Sequence, residues 1–230
     1  MINLINDYLP INIGLVFNLK KLKFIFSYEF LKRNLDIIFA LFTIILLSPL
    51  LLLIYLLILF FDNGPVIFKQ LRVGKNGQYF TIYKFRTMHY IKDYKFDGLI
   101  NELSKETIEK AREKFKTTKR NDPRISKIGK IIRPIHIDEL PQLINVIKGD
   151  MSFVGPRPDV PVQKVDYPEN FWKMRISIRP GITGLAQLYQ CNELMERNIL
   201  DRLYLRKRSF FFDLYILIRT LFKLIYLKSN

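Results

Sequence analysis

Asp138 and Glu139 are the residues around which chemistry can be built in this chain. They stand side by side ahead of an apolar-periodic run, in a sequence with 37 lysines and arginines against 21 acids and a formal net charge of +16. A carboxylate set among cations can attack phosphorus and form an acyl phosphate. Phosphoryl transfer also asks for positive charge around the moving group and usually for a divalent metal. Arg133, Arg157, Arg179 and Lys84 are the cations expected to gather at the pair. Arg157 and Arg179 each lie in a stretch stiffened by Gly and Pro, Gly155-Pro156-Arg157-Pro158 and Arg179-Pro180-Gly181, which suits a guanidinium fork held against a phosphate. A plainer role for the pair is structural, with Asp138 capping a helix N-terminus and Glu139 favouring its dipole. Spacing alone leaves both roles open.

Other chemistries find little support. His89 and His136 are the two histidines, and each reads as a surface or packing residue. No Gly-x-Ser-x-Gly elbow or Walker loop is present, and one cysteine with two scattered histidines makes no zinc pattern. The lone Cys191 excludes an internal disulfide and agrees with a reducing compartment. Nothing at defined spacing supports a functional role for Cys191 or Trp172. The basic excess suits polyanions: nucleic acid, anionic lipid headgroups or phosphorylated substrates.

The elements that must position the acidic pair can be read around it. Leu140, Leu143, Ile144 and Ile147 follow the i, i+3, i+4, i+7 pattern of a helix with one buried stripe. Asp138 is the expected N-cap, Pro141 falls in the tolerated first turn, and Gly149 is the stop. Upstream, Val66 to Gln70 and Tyr79 to Phe85 read as strands joined by a turn at Gly74-Lys75-Asn76-Gly77. This hairpin carries Gln70, Arg72, Lys84 and Arg86. Residues 89–121 are densely charged with both signs and hold one helical stretch near Leu99 to Phe115, most simply a solvated helix and loop.

Residues 37 to 61 contain no charge, and as a helix at ~1.5 Å per residue they would cross a hydrocarbon core of ~30 Å. Pro49 cannot donate to the carbonyl of Ile45, so a bend is expected there, softened by a Ser48 bond to Ile44. Basic residues flank both ends: Lys20, Lys21, Lys23, Lys32 and Arg33 before, Lys69, Arg72 and Lys75 after. Such residues normally mark the cytoplasmic end of a span. A helix that bends at Ser48-Pro49 and returns to the same face satisfies both flanks; a spanning helix with a tolerated proline remains the alternative. The run begins behind a long leader without a small-residue cleavage pattern, so no removable signal peptide is read. Ser209 to Lys228 is apolar but interrupted by Asp213, Arg219 and Lys223, the pattern of an interfacial amphipathic helix.

Taken together, these motifs are recognisable. The chain resembles the bacterial sugar transferase family, the monotopic phosphoglycosyl transferases that start glycan assembly on a lipid carrier. The matching stretches include Lys32-Arg33-x-x-Asp36, Ser48-Pro49, Gly64-Pro65-Val66-Ile67-Phe68-Lys69-Gln70, Arg72-Val73-Gly74 and Lys84-Phe85-Arg86-Thr87-Met88. They continue through Asp122-Pro123-Arg124, Asp138-Glu139-Leu140-Pro141-Gln142-Leu143, Lys148-Gly149-Asp150-Met151-Ser152, Gly155-Pro156-Arg157-Pro158 and Arg179-Pro180-Gly181-Ile182-Thr183-Gly184. The resemblance covers roughly residues 32 to 225. It implies transfer of a sugar phosphate from a nucleotide diphosphate sugar, typically a UDP-sugar, to polyprenol phosphate with Mg²⁺ required. Asp138 would be the nucleophile, releasing UMP, and Glu139 would help organise the metal together with Asp138 and Asp213. Gln70, Arg72, Lys84, Arg86, Arg133, Arg157 and Arg179 become the substrate-binding candidates. The family commonly carries a Gly-Arg pair where Gln190-Cys191 stands here, leaving Arg197 and Arg202 as candidates to replace that arginine.

The expected fold is therefore α+β and monotopic. Residues 1–31 form a membrane-associated leader and 32–61 a re-entrant membrane helix broken at Ser48-Pro49. Residues 62–208 form a small, mostly helical catalytic domain carrying a β-hairpin, and 209–230 an interfacial helix, at the cytoplasmic face of the inner membrane. Membrane lipid is an expected partner and nucleic acid is not. A non-catalytic, membrane-anchored binder of anionic lipid or nucleic acid is the rival from another class, and a one-step transferase the rival within the class. Acidic residues inside a basic surface count against a pure polyanion binder.

Overall fold

The structure is a computed structural model that describes residues 28–89, 112, 122–191 and 193–226. The leader up to residue 27 and, Arg112 apart, the helical stretch expected near Leu99 to Phe115 lie outside the described residues.

Helix α1, Tyr28–Phe61, is one run of 34 residues with Pro49 inside it. It begins earlier than expected, and the helical run continues through Ser48-Pro49 without interruption. The Ser48 hydroxyl bonds the carbonyl of Ile45 at 2.8 Å rather than that of Ile44, so it answers the acceptor that Pro49 leaves without its amide. By length and composition it is the one helix among the described residues apolar enough to cross a membrane. A single stripe faces the rest of the protein. Asp36, Ala40, Ile54 and Ile58 are buried on it, whereas Ile38, Phe42, Ile45, Leu46, Leu52, Phe60 and Phe61 are each more than half exposed.

The buried stripe belongs to two hydrophobic clusters. Ala40, with Ile44 beside it, packs among Phe80, Ile82, Leu143, Val146 and Met151. Ile54 and Ile58, with Leu50 and Leu51, pack among Val66, Phe85 and Ile132. Polar bonds fasten both ends of α1. Arg33 donates to the carbonyls of Val146 and Ile147 at 2.5 and 2.8 Å, and Asp36 Oδ1 accepts from the Phe153 amide at 3.2 Å. At the other end the Asp62 carbonyl accepts from Arg86 Nη2 at 3.0 Å.

Strands β1, Ile67–Val73, and β2, Tyr79–Phe85, pair antiparallel with Ile67 opposite Phe85 and Val73 opposite Tyr79. A 3₁₀ turn at Lys75–Gly77 joins them, and Asn76 and Gly77 both take positive φ, which Asn and Gly tolerate best. Helix α2, Lys127–Ile132, starts at Ser126, whose hydroxyl accepts from the Gly129 amide at 3.1 Å. Gly129 lies so close to the chain after β2 that a Cβ would fall 2.1 Å from the Thr87 carbonyl oxygen.

A short 3₁₀ turn, Ile137–Glu139, leads to helix α3, Gln142–Lys148. Asp138 is thus inside a turn and is not the N-cap of the helix; Pro141 takes that position, and Gly149 ends the helix at φ 94° as expected. The buried side also differs. Gln142, Leu143, Asn145 and Val146 are buried while Ile144 is 48 % exposed, because the polar Asn145 is drawn inward by the hairpin's backbone.

Strands β3, Ser152–Val154, and β4, Gly181–Thr183, form a parallel pair. Helix α4, Glu169–Ile176, lies in the crossover between them. A Cβ at Gly181 would fall 2.1 Å from the Gly155 amide nitrogen, so only glycine permits this approach. Helices α5, Leu185–Leu188, α6, Leu194–Lys207, and α7, Phe210–Tyr226, complete the chain. On α7, Phe212 and Ile216 are buried against Leu200, Leu203 and Tyr204, while Phe211, Leu214, Ile218, Leu221 and Phe222 stay exposed. The amphipathic character expected of this segment is present, with Asp213 on its buried side.

Candidate functional site

Two segments converge with the hairpin to form a charged site. The first is the acidic turn. His136, which precedes it, sits in the left-handed region at φ 55°, and this reversal turns the chain from α2 into Ile137–Glu139. Asn145 then fixes α3 to β2: its Oδ1 accepts from the Tyr83 amide at 3.1 Å, and its Nδ2 donates to the Thr81 carbonyl at 2.7 Å and to Asp150 at 3.0 Å. The acidic turn at one end of α3 is thereby held beside Lys84. Lys84 Nζ donates to Glu139 Oε1 at 2.5 Å, with both side chains largely buried.

The second segment is the loop after β3. Its carbonyls are accounted for in succession: Pro156 accepts from the Gly181 amide at 2.9 Å, Arg157 from Arg175 Nη2 at 2.7 Å, Pro158 from Arg72 Nη1 at 2.8 Å, and Asp159 from the Val73 amide at 2.9 Å. Held in this way, the loop directs Arg157 Nη2 to Glu139 Oε1 at 3.2 Å. Arg72 also donates to Gln70 Oε1 at 2.6 Å.

The two carboxylates differ in charge state. Burial alone would raise Glu139, but Arg157 and Lys84 outweigh it and hold its carboxyl well below the usual carboxylate range. Asp138 has no side-chain donor among the described residues; burial, with Glu139 adjacent, pushes its pKa up to about 6. Burial and the neighbouring Arg157 draw Arg72 down to about 10. His136 is exposed, as expected of a surface residue, and what burial it has lowers its pKa against the pull of Glu139. Arg133 lowers Asp138 through its charge, and its own Nη1 is buried without a partner among the described residues, as is Nε of Arg72. Two buried donors left open beside such a site suit an anionic ligand.

Gln70, Arg72, Lys84, Arg133, Arg157, Asp138 and Glu139 are therefore gathered in one region. Other expected members are placed elsewhere. Arg179 Nε donates to the Gly149 carbonyl at 2.8 Å and, with Arg33, serves the C-terminal end of α3, opposite the acidic turn. A guanidinium at helix carbonyls is favoured by the dipole, so this arginine has a structural task. Arg86 is buried and bonded to Asp62 at the end of α1. Asp213 accepts from Tyr28 at 2.7 Å, from Tyr204 at 2.9 Å and from Lys32, a cluster that joins α1 to α7. Among the described residues no three acidic, histidine or cysteine groups converge, so a metal held by Asp138, Glu139 and Asp213 together is not what the geometry offers. Mg²⁺ needs fewer protein ligands, one or two carboxylates plus substrate phosphates and water. Asp138, lacking a donor, and Glu139 beside it fit that smaller requirement.

The two arginines expected to stand in near Gln190-Cys191 have partners within the domain. Arg197 bonds Tyr167 and faces Asp159 at 3.4 Å, and Arg202 stacks over Phe171 at 4.9 Å. Trp172 is a packing residue, buried with Tyr167 and Phe171. Sequence reasoning missed Asn145, Arg175, Asp159 and Asp201, whose partners lie far along the chain.

A model of bacterial sugar transferases matches residues 27–226. The exopolysaccharide production protein ExoY of Rhizobium meliloti is 38% identical over 194 residues, which cover 83% of each chain. The UDP-glucose:undecaprenyl-phosphate glucose-1-phosphate transferase of Escherichia coli is 35% identical over 202 residues, 84% of this chain and 40% of that protein. An Aeromonas hydrophila UDP-N-acetylgalactosamine-undecaprenyl-phosphate N-acetylgalactosaminephosphotransferase is 36% identical over 206 residues, 84% of this chain and 43% of that protein.

Proposed function

The chain belongs to the bacterial sugar transferase family, and from that premise we propose that it moves a sugar 1-phosphate from a UDP-sugar to polyprenol phosphate in two steps. The observation that carries this reading is the contrast within the acidic pair: Glu139 is neutralised by Lys84 and Arg157, whereas Asp138 has no such donor among the described residues. The names of two relatives specify UDP-sugars and undecaprenyl phosphate, which supports these as the donor and acceptor classes.

In the first step a carboxylate oxygen of Asp138 attacks the phosphorus that bears the sugar. The bond from that phosphorus to the bridging oxygen of the diphosphate breaks, and UMP leaves with the electron pair. In the second step a phosphate oxygen of the acceptor attacks the same phosphorus and the bond to Asp138 breaks. The products are the polyprenol diphosphate sugar and the free carboxylate. Lys84, Arg157 and Arg133 gather the phosphate oxygens, while Glu139 keeps Lys84 and Arg157 in place before the donor arrives. Mg²⁺, when bound at Asp138 and Glu139, would neutralise charge on the leaving phosphate.

The membrane arrangement is part of the same reading. Residues on both sides of Ser48-Pro49 pack on the one domain that carries the acidic turn, which supports placing both ends of α1 on one side of the bilayer even though the helix runs on through the proline. This favours a re-entrant, monotopic helix whose exposed flank meets lipid at the cytoplasmic face of the inner membrane. Intact-protein mass spectrometry after incubation with UDP-sugars and Mg²⁺ tests the intermediate. A phosphosugar adduct is expected on the wild type and absent from Asp138→Asn; an adduct that persists in the variant overturns the two-step assignment.

A further inference from the structure

The loop that directs Arg157 to Glu139 is itself governed by a residue that touches neither carboxylate of the acidic pair. Arg175 on α4 is 4 % exposed and uses its whole guanidinium. Nε donates to Asp159 Oδ2 at 2.8 Å, Nη1 to Asp201 Oδ2, and Nη2 to the carbonyl oxygen of Arg157 at 2.7 Å. Asp159 also accepts from the Tyr167 hydroxyl at 3.0 Å and faces Arg197 at 3.4 Å, and Asp201 is 1 % exposed on α6.

Burying such charges gains little net stability, because desolvation offsets most of their attraction. An apolar set of similar volume could fill the same space. It could not supply a directed donor to the Arg157 backbone, and a lysine could not either, since only the planar fork reaches three acceptors at fixed angles. We infer that Arg175 is a positioning residue: Asp159 and Asp201 orient its guanidinium, and its third nitrogen sets the backbone from which Arg157 reaches Glu139 and the donor phosphates. The contact with the donor rests on the transferase reading; the hold on the loop does not.

Two measurements on the full-length protein separate these parts. Hydrogen exchange of the Val73 and Gly181 amides, which bond the Asp159 and Pro156 carbonyls of the loop, and of the Val160 amide, which bonds Gln163, is expected to quicken about tenfold in Arg175→Lys relative to the wild type while α6 keeps its protection. Unchanged exchange at these amides overturns the inference and needs no substrate. A double-mutant cycle then reads the coupling. Arg175→Lys should lower kcat/KM for the UDP-sugar about 30-fold in the wild-type background and less than about threefold in Arg157→Ala. Losses that multiply overturn the inference, since they mean that Arg175 does not act through Arg157. Asp201→Asn, which keeps an acceptor at the same place, repeats both measurements if the lysine variant fails to fold. A wild type that transfers no phosphosugar defeats the transferase reading, while the exchange result still decides whether Arg175 holds the loop.

Discussion

The loop 156–159 and the turn 136–139 face each other across one ion pair, and they are built on opposite terms. In the loop, four consecutive carbonyls have partners and the aspartate side chain at its end is met by Tyr167 and Arg175. In the turn, the backbone reverses through a left-handed histidine, and Asp138 is buried without a side-chain donor among the described residues. Pairing each carbonyl in succession makes the loop a fixed support for charge. Leaving one carboxylate incomplete makes the turn the place where the proposed mechanism would form its bond. A site for phosphoryl transfer needs both, because cations positioned in advance stabilise the reacting group only if the nucleophile is not already consumed by them.

The contrast can be broken most sharply at Asp138. Asp138→Asn should lower phosphosugar transfer by about 10⁴-fold while thermal stability at neutral pH holds or rises, since the charge that burial disfavours is removed. A large fall in stability with activity retained would place Asp138 among the structural groups instead. Glu139→Gln leaves Lys84 and Arg157 facing a neutral amide. Chemical denaturation should show a loss of about 3 kcal/mol, alongside a transfer rate lower by about 10³-fold. Arg157→Ala removes the loop's contribution alone, with an expected fall of about 10²-fold in kcat/KM for the donor.

A pH titration separates the two acids further. With the Asp138 pKa pushed up to about 6, kcat/KM should fall about tenfold per pH unit below that value. Its stability effect has a definite sign. Between about pH 4 and 6 the folded protein keeps a proton on Asp138 that the unfolded chain, near 3.8, gives up, so this residue makes stability fall as pH rises. Glu139 acts oppositely: its depressed pKa contributes stability that is present above about 4.5 and lost as pH falls below it. The Asp138 contribution to the fall in unfolding free energy from pH 4 to 6 should therefore be missing in Asp138→Asn, as denaturation at each pH would read. The smallest effect is expected at Arg179→Ala, about 1 kcal/mol of stability and little change in KM, because its bond to Gly149 lies at the far end of α3.

Much of this was legible along the chain, and what was missed has a physical cause. The hairpin could be read from its strands and the Gly74 to Gly77 turn, and the acidic pair from its setting among cations. The position of Asp138 could not. A helix start at Asp138 and one at Gln142 produce the same local sequence, and only the His136 reversal distinguishes them. Ile144 was expected inside because apolar periodicity ignores a polar residue that backbone groups draw inward, as Thr81 and Tyr83 draw Asn145. Arg157 and Arg179 look alike in sequence, each beside Pro and near Gly, yet one meets a carboxylate and the other a helix carbonyl. Arg175 reaches partners 16, 18 and 26 residues away, a separation at which sequence patterns carry no signal.

Helix α1 is fastened at Arg33 and Asp36, seated along its length by Ala40, Ile54 and Ile58, and tied again at Asp62. So attached, it travels with the domain as one body. Set with its bare flank in lipid, such a body floats at one draught, like a hull. The acidic turn then meets phosphates at a single altitude above the hydrocarbon. Under the proposed transfer, a lipid monophosphate would stand at that altitude and its diphosphate product would carry the sugar one phosphate higher, so height alone would distinguish what should enter from what should leave.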